Sequence, residues 1–508
     1  MSASRKPSLH EYLLTGPFSA HMEFEMTSVV AKTTLFRNCD WIVAWDEAAQ
    51  SHVYLRNADF VIRGKDIVHV GEGYSSSVDA EVDASRMMII PGFVNIHSHP
   101  GHEPGWKGML EELGSPRLGQ SSLYEFMPVF QIGPEYTRPA LRVAASELLR
   151  SGVTTICDLG RPRETWADEY AETGIRAVLW GMFRSGPWRT TNGHSVEYDL
   201  DPATGDRLLR EAIEVADAAS KHPSGRITGF IGPAQIDTCT EGQIRDALDA
   251  ARERGQPIQI HAAQSIVEFQ EIMRRYGSTP IEWLDRIGAL GPDTIIGHCI
   301  FLNDHPWLHW PHANDFERLR DSGAQVAHCP VVFARRGIAL NTLSRYVKAG
   351  IRCGIGTDSF PHNMLDELRM ACYAGRIVAG SFTASTTRDA FMAATAVGAD
   401  MIRRPDLGRL APGCKADFSI VDMSNPYMQP DYEPIRSLVY SANDRAIKDV
   451  YVDGRQVVRN GEILDFDIGE DLEMLRRGQA EAIAAAPQRD WAGRGLEELS
   501  PRVFPIRS

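Results

Sequence analysis

His97-Ser98-His99 closes the apolar run Met88 to Ile96. On an extended strand, residues i and i+2 face the same way, so both imidazoles can reach one cation where the strand opens into a pocket. By itself a His-x-His is equally compatible with an ordinary polar strand end. Three further segments end in the same manner. His261 closes Pro257 to His261, His298 closes Thr294 to His298, and Asp358 closes Cys353 to Asp358. Neutral imidazoles with one carboxylate suit Zn2+, and a catalytic site keeps one position open for water. The pKa of such a water falls to about 7 in favourable sites. Asp358 has two oxygens, one for the metal and one to take the water's proton, which makes it a general base and later a proton donor. The plain alternative is that each of these residues caps its strand.

Positioning such residues requires strands whose ends meet. Eight short buried runs lie between residues 90 and 360. They are Ile89 to His99, Thr154 to Asp158, Arg176 to Phe183, Ile227 to Gly232, Ile258 to His261, Thr294 to His298, Ala324 to His328 and Arg352 to Asp358. Helix-like stretches separate them, among them Arg138 to Arg150, Asp206 to Ala219, Glu241 to Arg254 and Thr342 to Ala349. This alternation reads as repeated βα units with a parallel sheet. Eight such strands can close into a (β/α)8 TIM-type barrel, whose C-terminal strand ends share one rim. The first, fifth, sixth and eighth runs each deliver a ligand-type residue to that rim.

The flanks read differently. Thr33 to Val70 holds short β-rich runs, as do Ala416 to Asp422 and Ile447 to Val458, with Asp453-Gly454-Arg455 as a hairpin turn. These imply a composite β-sandwich built from both chain ends, giving an α/β division into residues 1–89, the barrel at 90–405, the second sandwich part at 406–465, and a helix and tail at 466–508. Net charge is −14, with acids dispersed and no basic stripe, so neither nucleic acid nor a membrane is expected as partner. Met1 to Met26 lacks the apolar core of a secretory signal, and no stretch approaches the roughly 18 to 20 apolar residues of a spanning helix. The eight cysteines are scattered without CxxC pairs, as expected of reduced thiols in a cytoplasm. A small-molecule substrate and a homodimer or higher homo-oligomer are the expected partners.

The segments Pro91-Gly92-Phe93-Val94-Asn95-Ile96-His97-Ser98-His99, Gly297-His298-Cys299, Val326-Ala327-His328-Cys329-Pro330 and Gly356-Thr357-Asp358-Ser359 carry a resemblance. In this order they resemble the amidohydrolase superfamily, and within it the chlorohydrolase and aminohydrolase branch that includes atrazine chlorohydrolase, guanine deaminase and S-adenosylhomocysteine deaminase. The resemblance implies one divalent metal, zinc or alternatively Fe2+, held by His97, His99, His261 and Asp358, with His298 beside the reacting water. Binuclear relatives bridge two metals with a carboxylated Lys on the fourth strand. No Lys occurs here between Lys221 and Lys348, which implies a mononuclear site.

Three positions depart from that branch. Where its deaminases carry a Glu three residues after the fifth-strand His, this chain has Gln264, which cannot deliver a proton. Ala234 stands where a His usually follows Gly-Pro, and His362 where a small hydroxyl residue is common. Trp106, His328, His362 and Gln235 are the expected substrate contacts. The bland readings are core packing for the tryptophans and structural hydrogen bonding for His328. The stretch Asn303 to Asn314, with three histidines, is either a lid or a surface loop. With Gln264 and Asp358 as catalytic residues beside His298, the expectation is hydrolysis of an amide, urea or carbamate in a small aromatic or heterocyclic molecule. The alternative is a heteroaromatic deaminase or dechlorinase. A non-catalytic scaffold is disfavoured by retention of the whole ligand set.

Overall fold

The computed structural model describes residues 31–109, 115–338 and 343–507, so the reading of segment 1–26 and the start of the helix expected from Thr342 lie outside the described residues. Among the described residues the strands fall into two systems. The first takes strands from both chain ends: β1 (Thr33–Asp46), β2 (Ser51–Arg63), β3 (Asp66–Gly71), β4 (Ala80–Asp83) and β5 (Met87–Pro91) come before the catalytic segments. The second system begins at β6 (Phe93–Ser98) and continues with β7 (Val153–Gly160) and β8 (Arg176–Phe183). A small hairpin of β9 (Trp188–Arg189) and β10 (Glu197–Tyr198) intervenes. There follow β11 (Ile227–Pro233), β12 (Ile258–Ala262), β13 (Thr294–His298), β14 (Gln325–His328) and β15 (Cys353–Ile355). The first system resumes with β16 (Phe418–Asp422), β17 (Ile447–Val452), β18 (Arg455–Arg459) and β19 (Glu462–Ile463).

The terminal strands form one nine-stranded sheet in the order β19-β18-β17-β16-β5-β1-β2-β3, with β4 beside β1. Its aromatic core shows that the sheet curls. Phe60 on β2 meets Phe418 on β16 at 4.9 Å between ring centroids, although β5 and β1 separate these strands in the sheet. Phe36 packs edge-on against Phe418 and Tyr451, at 5.5 and 5.6 Å. The backbone returns as well, with Ala416 N–H donating to Lys65 O at 2.8 Å.

The central strands form two parallel four-stranded sheets, β6-β7-β8-β11 and β12-β13-β14-β15. Single parallel bridges join them at both edges, Gln235 with His261 and Ser98 with Asp358. Helices such as Thr137–Arg150, Pro202–Ala219 and Glu241–Glu253 fill the connections. Each presents alanine and leucine to the strands and charge to water. The run expected as one first strand is two, β5 in the terminal sheet and β6 in the central one. Gly92 makes the break, because a Cβ there would lie 2.1 Å from Thr154 Oγ1. Continuous burial on both faces leaves no periodicity from which such a change of sheet can be read.

The C-terminal helix spans Gly469–Arg489 and packs across the segment following β6. Gln479 Nε2 donates to the carbonyls of Gly105 and Lys107 at 2.9 and 3.0 Å. That contact holds a short 3-10 turn, Glu103–Trp106, against the strand ends. No helix among the described residues is long and apolar enough to cross a membrane.

Candidate metal centre

Four histidines and one aspartate converge where β6, β12, β13 and β15 end. His97 and His99 bracket the last residue of β6, His261 lies on β12, His298 ends β13, and Asp358 follows β15. Within the group, two overlapping sets, His97-His261-His298 and His97-His99-Asp358, hold ligand atoms within 4.8 Å of one another. Asp358 Oδ1 stands 3.2 Å from His99 Nε2 and 3.6 Å from His97 Nε2, while Oδ2 is 4.0 Å from His298 Nε2. His298 and Asp358 both take left-handed backbone angles, φ +78° and +56°. Residues of this type cost of order 1 kcal/mol or more there, so the packing around them must hold them in place.

The outer nitrogens of three rings are fixed by oxygen acceptors. His99 Nδ1 faces Leu159 O at 2.7 Å, and His261 Nδ1 faces Ala234 O at 2.5 Å. A carbonyl only accepts, so each Nδ1 carries a proton and Nε2 is left as the nitrogen whose lone pair a metal can take, at His99 in exchange for a second proton. His97 Nδ1 meets Gln259 Oε1 at 2.5 Å, and the same amide donates through Nε2 to Ile96 O at 3.1 Å, which sets the amide's orientation. Three inward lone pairs follow. His261 Nε2 lies 3.3 Å from His99 Nε2, a separation two unprotonated nitrogens tolerate only with something electropositive between them, and the buried Nε2 of His97 has no hydrogen-bond partner. The donor set therefore fits a divalent cation, with outer partners that orient each ring.

Electrostatics point the same way. Burial pushes His97 down to about 4 and holds His261 and His298 well below the usual imidazole range. Burial opposes ionisation of Asp358, but the surrounding histidines win and keep its carboxyl well below the ordinary range. At His99 burial is again opposed, and the Asp358 carboxylate raises the ring to about 9. A metal competes with that proton for the same lone pair.

The remaining expected residues are distributed unevenly. Gln264 is buried beyond β12, its backbone N–H donating to Glu268 Oε2 at 3.2 Å and its side-chain Nε2 without an acceptor. Gln235 bridges to His261 and accepts at Oε1 from Thr238 Oγ1 at 2.9 Å. His328 ends β14, and burial lowers it to about 3. Trp106 sits in a satellite core with Phe130 and Ala486, its indole donating to Phe130 O at 2.6 Å. It reaches the site through His102, whose ring is 5.0 Å from Trp106 and 6.1 Å from His99. His362 is wholly buried against Glu147, Nδ1 to Oε2 3.8 Å. In the 303–314 stretch Asn303 ties the base, donating to Ala313 O at 2.8 Å and accepting from Asp315 N–H at 3.0 Å.

The sequence reading passed over four residues near the site. Gln259 sits two residues before His261 on the same strand face, a signal that period-2 reasoning can detect. Glu103 is buried 3.7 Å from His102 Nε2, and burial, reinforced by the charge of Asp358, pushes its carboxyl up to about 8. Arg335 and Arg336 follow the helix Pro330–Ala334 after β14 and lie within electrostatic reach of both Glu103 and Asp358.

Comparison with known proteins places this geometry in context. A model of the amidohydrolase family matches residues 88–457. A 5-methylthioadenosine/S-adenosylhomocysteine deaminase of Thermococcus kodakarensis is 29% identical over 405 residues, spanning 78% of this chain and 89% of that protein. A 5'-deoxyadenosine deaminase of Methanopyrus kandleri is 28% identical over 392 residues, 76% of this chain and 84% of the relative. Among solved structures, an adenosine deaminase from Xanthomonas campestris with bound zinc superposes with a TM-score of 0.75 at 21% identity, covering 88% of this chain and 98% of that one. An atrazine chlorohydrolase from Arthrobacter aurescens TC1, complexed with zinc, gives 0.74 at 21% identity, over 88% and 100%. These likenesses show a TIM-barrel-like α/β fold.

Proposed function

The chain belongs to the amidohydrolase family and is a hydrolase of carbon–nitrogen bonds other than peptide bonds; from that premise we propose that it hydrolytically deaminates a small heteroaromatic molecule in a metal-dependent reaction. The observation that carries the metal dependence is the set of three oriented imidazoles with Asp358. In this reading His97, His99, His261 and Asp358 hold one divalent cation, zinc by donor type with Fe2+ as the alternative. When bound, such a cation lowers the pKa of a coordinated water so that it attacks near neutral pH. The protein's own groups do the rest. Asp358 takes the water's proton through its free oxygen, and His298 orients the attacking group from the opposite side. Glu103, neutral below about pH 8, returns a proton to the heterocycle or its departing nitrogen. A cation at Asp358 offsets part of the charge that raises Glu103, but burial, the larger cause, persists.

The same reading takes the two parallel sheets as one closed (β/α)8 barrel, for which the bridges at both seams speak. It takes the curled terminal sheet as the composite sandwich, divided at residues 89, 405 and 465. The deaminase relatives favour removal of an amino group from a ring. A second reading, hydrolysis of an amide, urea or carbamate, is favoured by Gln264, whose unpartnered Nε2 suits a carbonyl oxygen better than a ring needing protonation.

Elemental analysis with parallel assays tests both. About one zinc per chain and release of ammonia from aminopurines or amino-heterocycles are expected. Two metals required for activity would overturn the mononuclear site. Cleavage of anilides or phenylureas, with no ammonia from any amino-heterocycle, would replace the first reading with the second.

A further inference from the structure

Arg335 and Arg336 are half-buried and stand near the strand ends without carboxylate partners. Among the described residues no carboxylate lies within 4.0 Å of either, and the Nε of each is buried without an acceptor. Both are nonetheless fixed. Arg335 Nη2 donates to Ser359 Oγ at 3.0 Å, one residue from Asp358, and its guanidinium lies 4.5 Å from the Phe360 ring centroid. Arg336 lies 5.5 Å from the Phe333 ring, which itself packs 4.7 Å from His298. Two cations, each over an aromatic face, therefore flank the reacting centre with donors to spare.

We propose that Arg335 and Arg336 form an anion subsite, so that the substrate carries a carboxylate or phosphate group in addition to the bond that is cleaved. The proposal rests on the hydrolytic reading above and specifies its substrate class. A guanidinium fork matches either oxyanion in a bidentate fashion, and charge-assisted bonds of this kind are about twice as strong as neutral ones. The buried Nε of each leaves one donor without an acceptor in the free enzyme, and an anionic ligand relieves that cost. Phe333 and Phe360 beneath the charges suit a flat, aromatic body attached to the anion. Burial lowers Arg336 to about 10, opposed by Asp358 and Glu103, so it is still charged at neutral pH. The chain's net charge of −14 makes this local positive patch a feature of the site rather than of the surface as a whole.

The test uses the zinc-loaded full chain and three small probes: benzoate, phenyl phosphate and the neutral benzamide. Calorimetry is expected to detect benzoate or phenyl phosphate, whichever binds more tightly identifying the oxyanion, and to find benzamide weaker. Arg336→Met and Arg335→Met should each weaken the anion by about tenfold to a hundredfold with metal content unchanged. Arg336→Lys, which keeps the charge but loses the fork, should fall between, and it serves if the Met variant does not fold. Equal anion affinity in wild type and variants would place the probe on the metal and overturn the proposal. Arginine-dependent binding without hydrolysis of any substrate would instead sink the hydrolytic reading and leave the subsite standing.

Discussion

Two buried polar clusters, one at the start of β8 and one where β6, β12, β13 and β15 end, are built on opposite principles. At the start of β8, Arg176 is 2% exposed and donates through Nε to Asp417 Oδ2 at 2.8 Å, through Nη2 to Asp417 Oδ1 at 3.1 Å, and to Asp453. Asp453 N–H closes the group on Asp417 at 2.7 Å. Each carboxylate faces a cation, Asp453 Oδ2 meeting Lys65 Nζ at 3.5 Å although that oxygen accepts no hydrogen bond, and the cluster pins the terminal sheet to the central strands. In the other cluster, His97, His99, His261, His298 and Asp358 face each other with lone pairs and leave atoms without partners. A cluster whose opposite charges are paired serves stability, whereas facing lone pairs held in strained backbone suit a ligand. Both are equally buried, so burial alone does not separate them. The pairing of charge does, since a cation meets carboxylates at Arg176 while ring nitrogens face one another at the histidines.

Substitution at the histidine cluster is expected to have the largest effect on turnover and little on folding. Asp358→Asn keeps an oxygen for the metal but cannot take a proton. Turnover should fall by about 10²- to 10⁴-fold, the range attributed to general acid–base catalysis, with most of the metal retained. Steady-state rates alongside metal analysis measure this. A variant that keeps more than roughly a tenth of wild-type turnover would remove Asp358 from the base role.

The Arg176 cluster should behave in reverse. Arg176→Met strands two buried carboxylates, and breaking such a cluster costs about 3–5 kcal/mol. Denaturant titration should show that loss, with turnover per folded molecule and metal content unchanged. If instead turnover fell while stability held, the division between the two clusters would be wrong.

How much of this was legible in the sequence depends on what kind of signal each part left. His97, His99, His261, His298 and Asp358 were visible because each ends an apolar run, and a shared rim follows from parallel topology. The break at Gly92 was not, since residues buried on both faces carry no period. Glu103 was hidden for another reason. It lies between His102 and Pro104 in a stretch that reads as solvated loop, and the turn it belongs to is covered by the helices Thr137–Arg150 and Gly469–Arg489, the latter more than 360 residues further on. Taking Gln264 as evidence that no acid was available thus assumed that the acid must come from the fifth strand. Tertiary packing also buries a carboxyl after the first central strand, Glu103. Arg335 and Arg336 escaped notice because two adjacent arginines after a short helix usually mark solvent.

The smallest of these effects is also the one that sharpens the comparison most. Glu103 is protonated at neutral pH by burial first and the Asp358 charge second, with its carboxyl near 8. If it donates a proton during deamination, the rate should hold below that value and decline as pH rises through it. Glu103→Gln preserves size and neutrality but has no proton to give. On an amino-heterocycle we expect about a tenfold to hundredfold loss and disappearance of the alkaline limb near 8, at the lower end of acid–base contributions. The same raised carboxyl carries a stability consequence of matching sign. Its contribution is complete below the ordinary glutamate range and is lost as pH rises through about 8, because the buried group must then ionise. Glu103→Gln should therefore also flatten the decline in melting temperature between the ordinary glutamate range and about 8. Full activity with an unchanged pH profile, but a flattened stability curve, would return Glu103 to the structural class occupied by Arg176 and remove it from the proton-donor role.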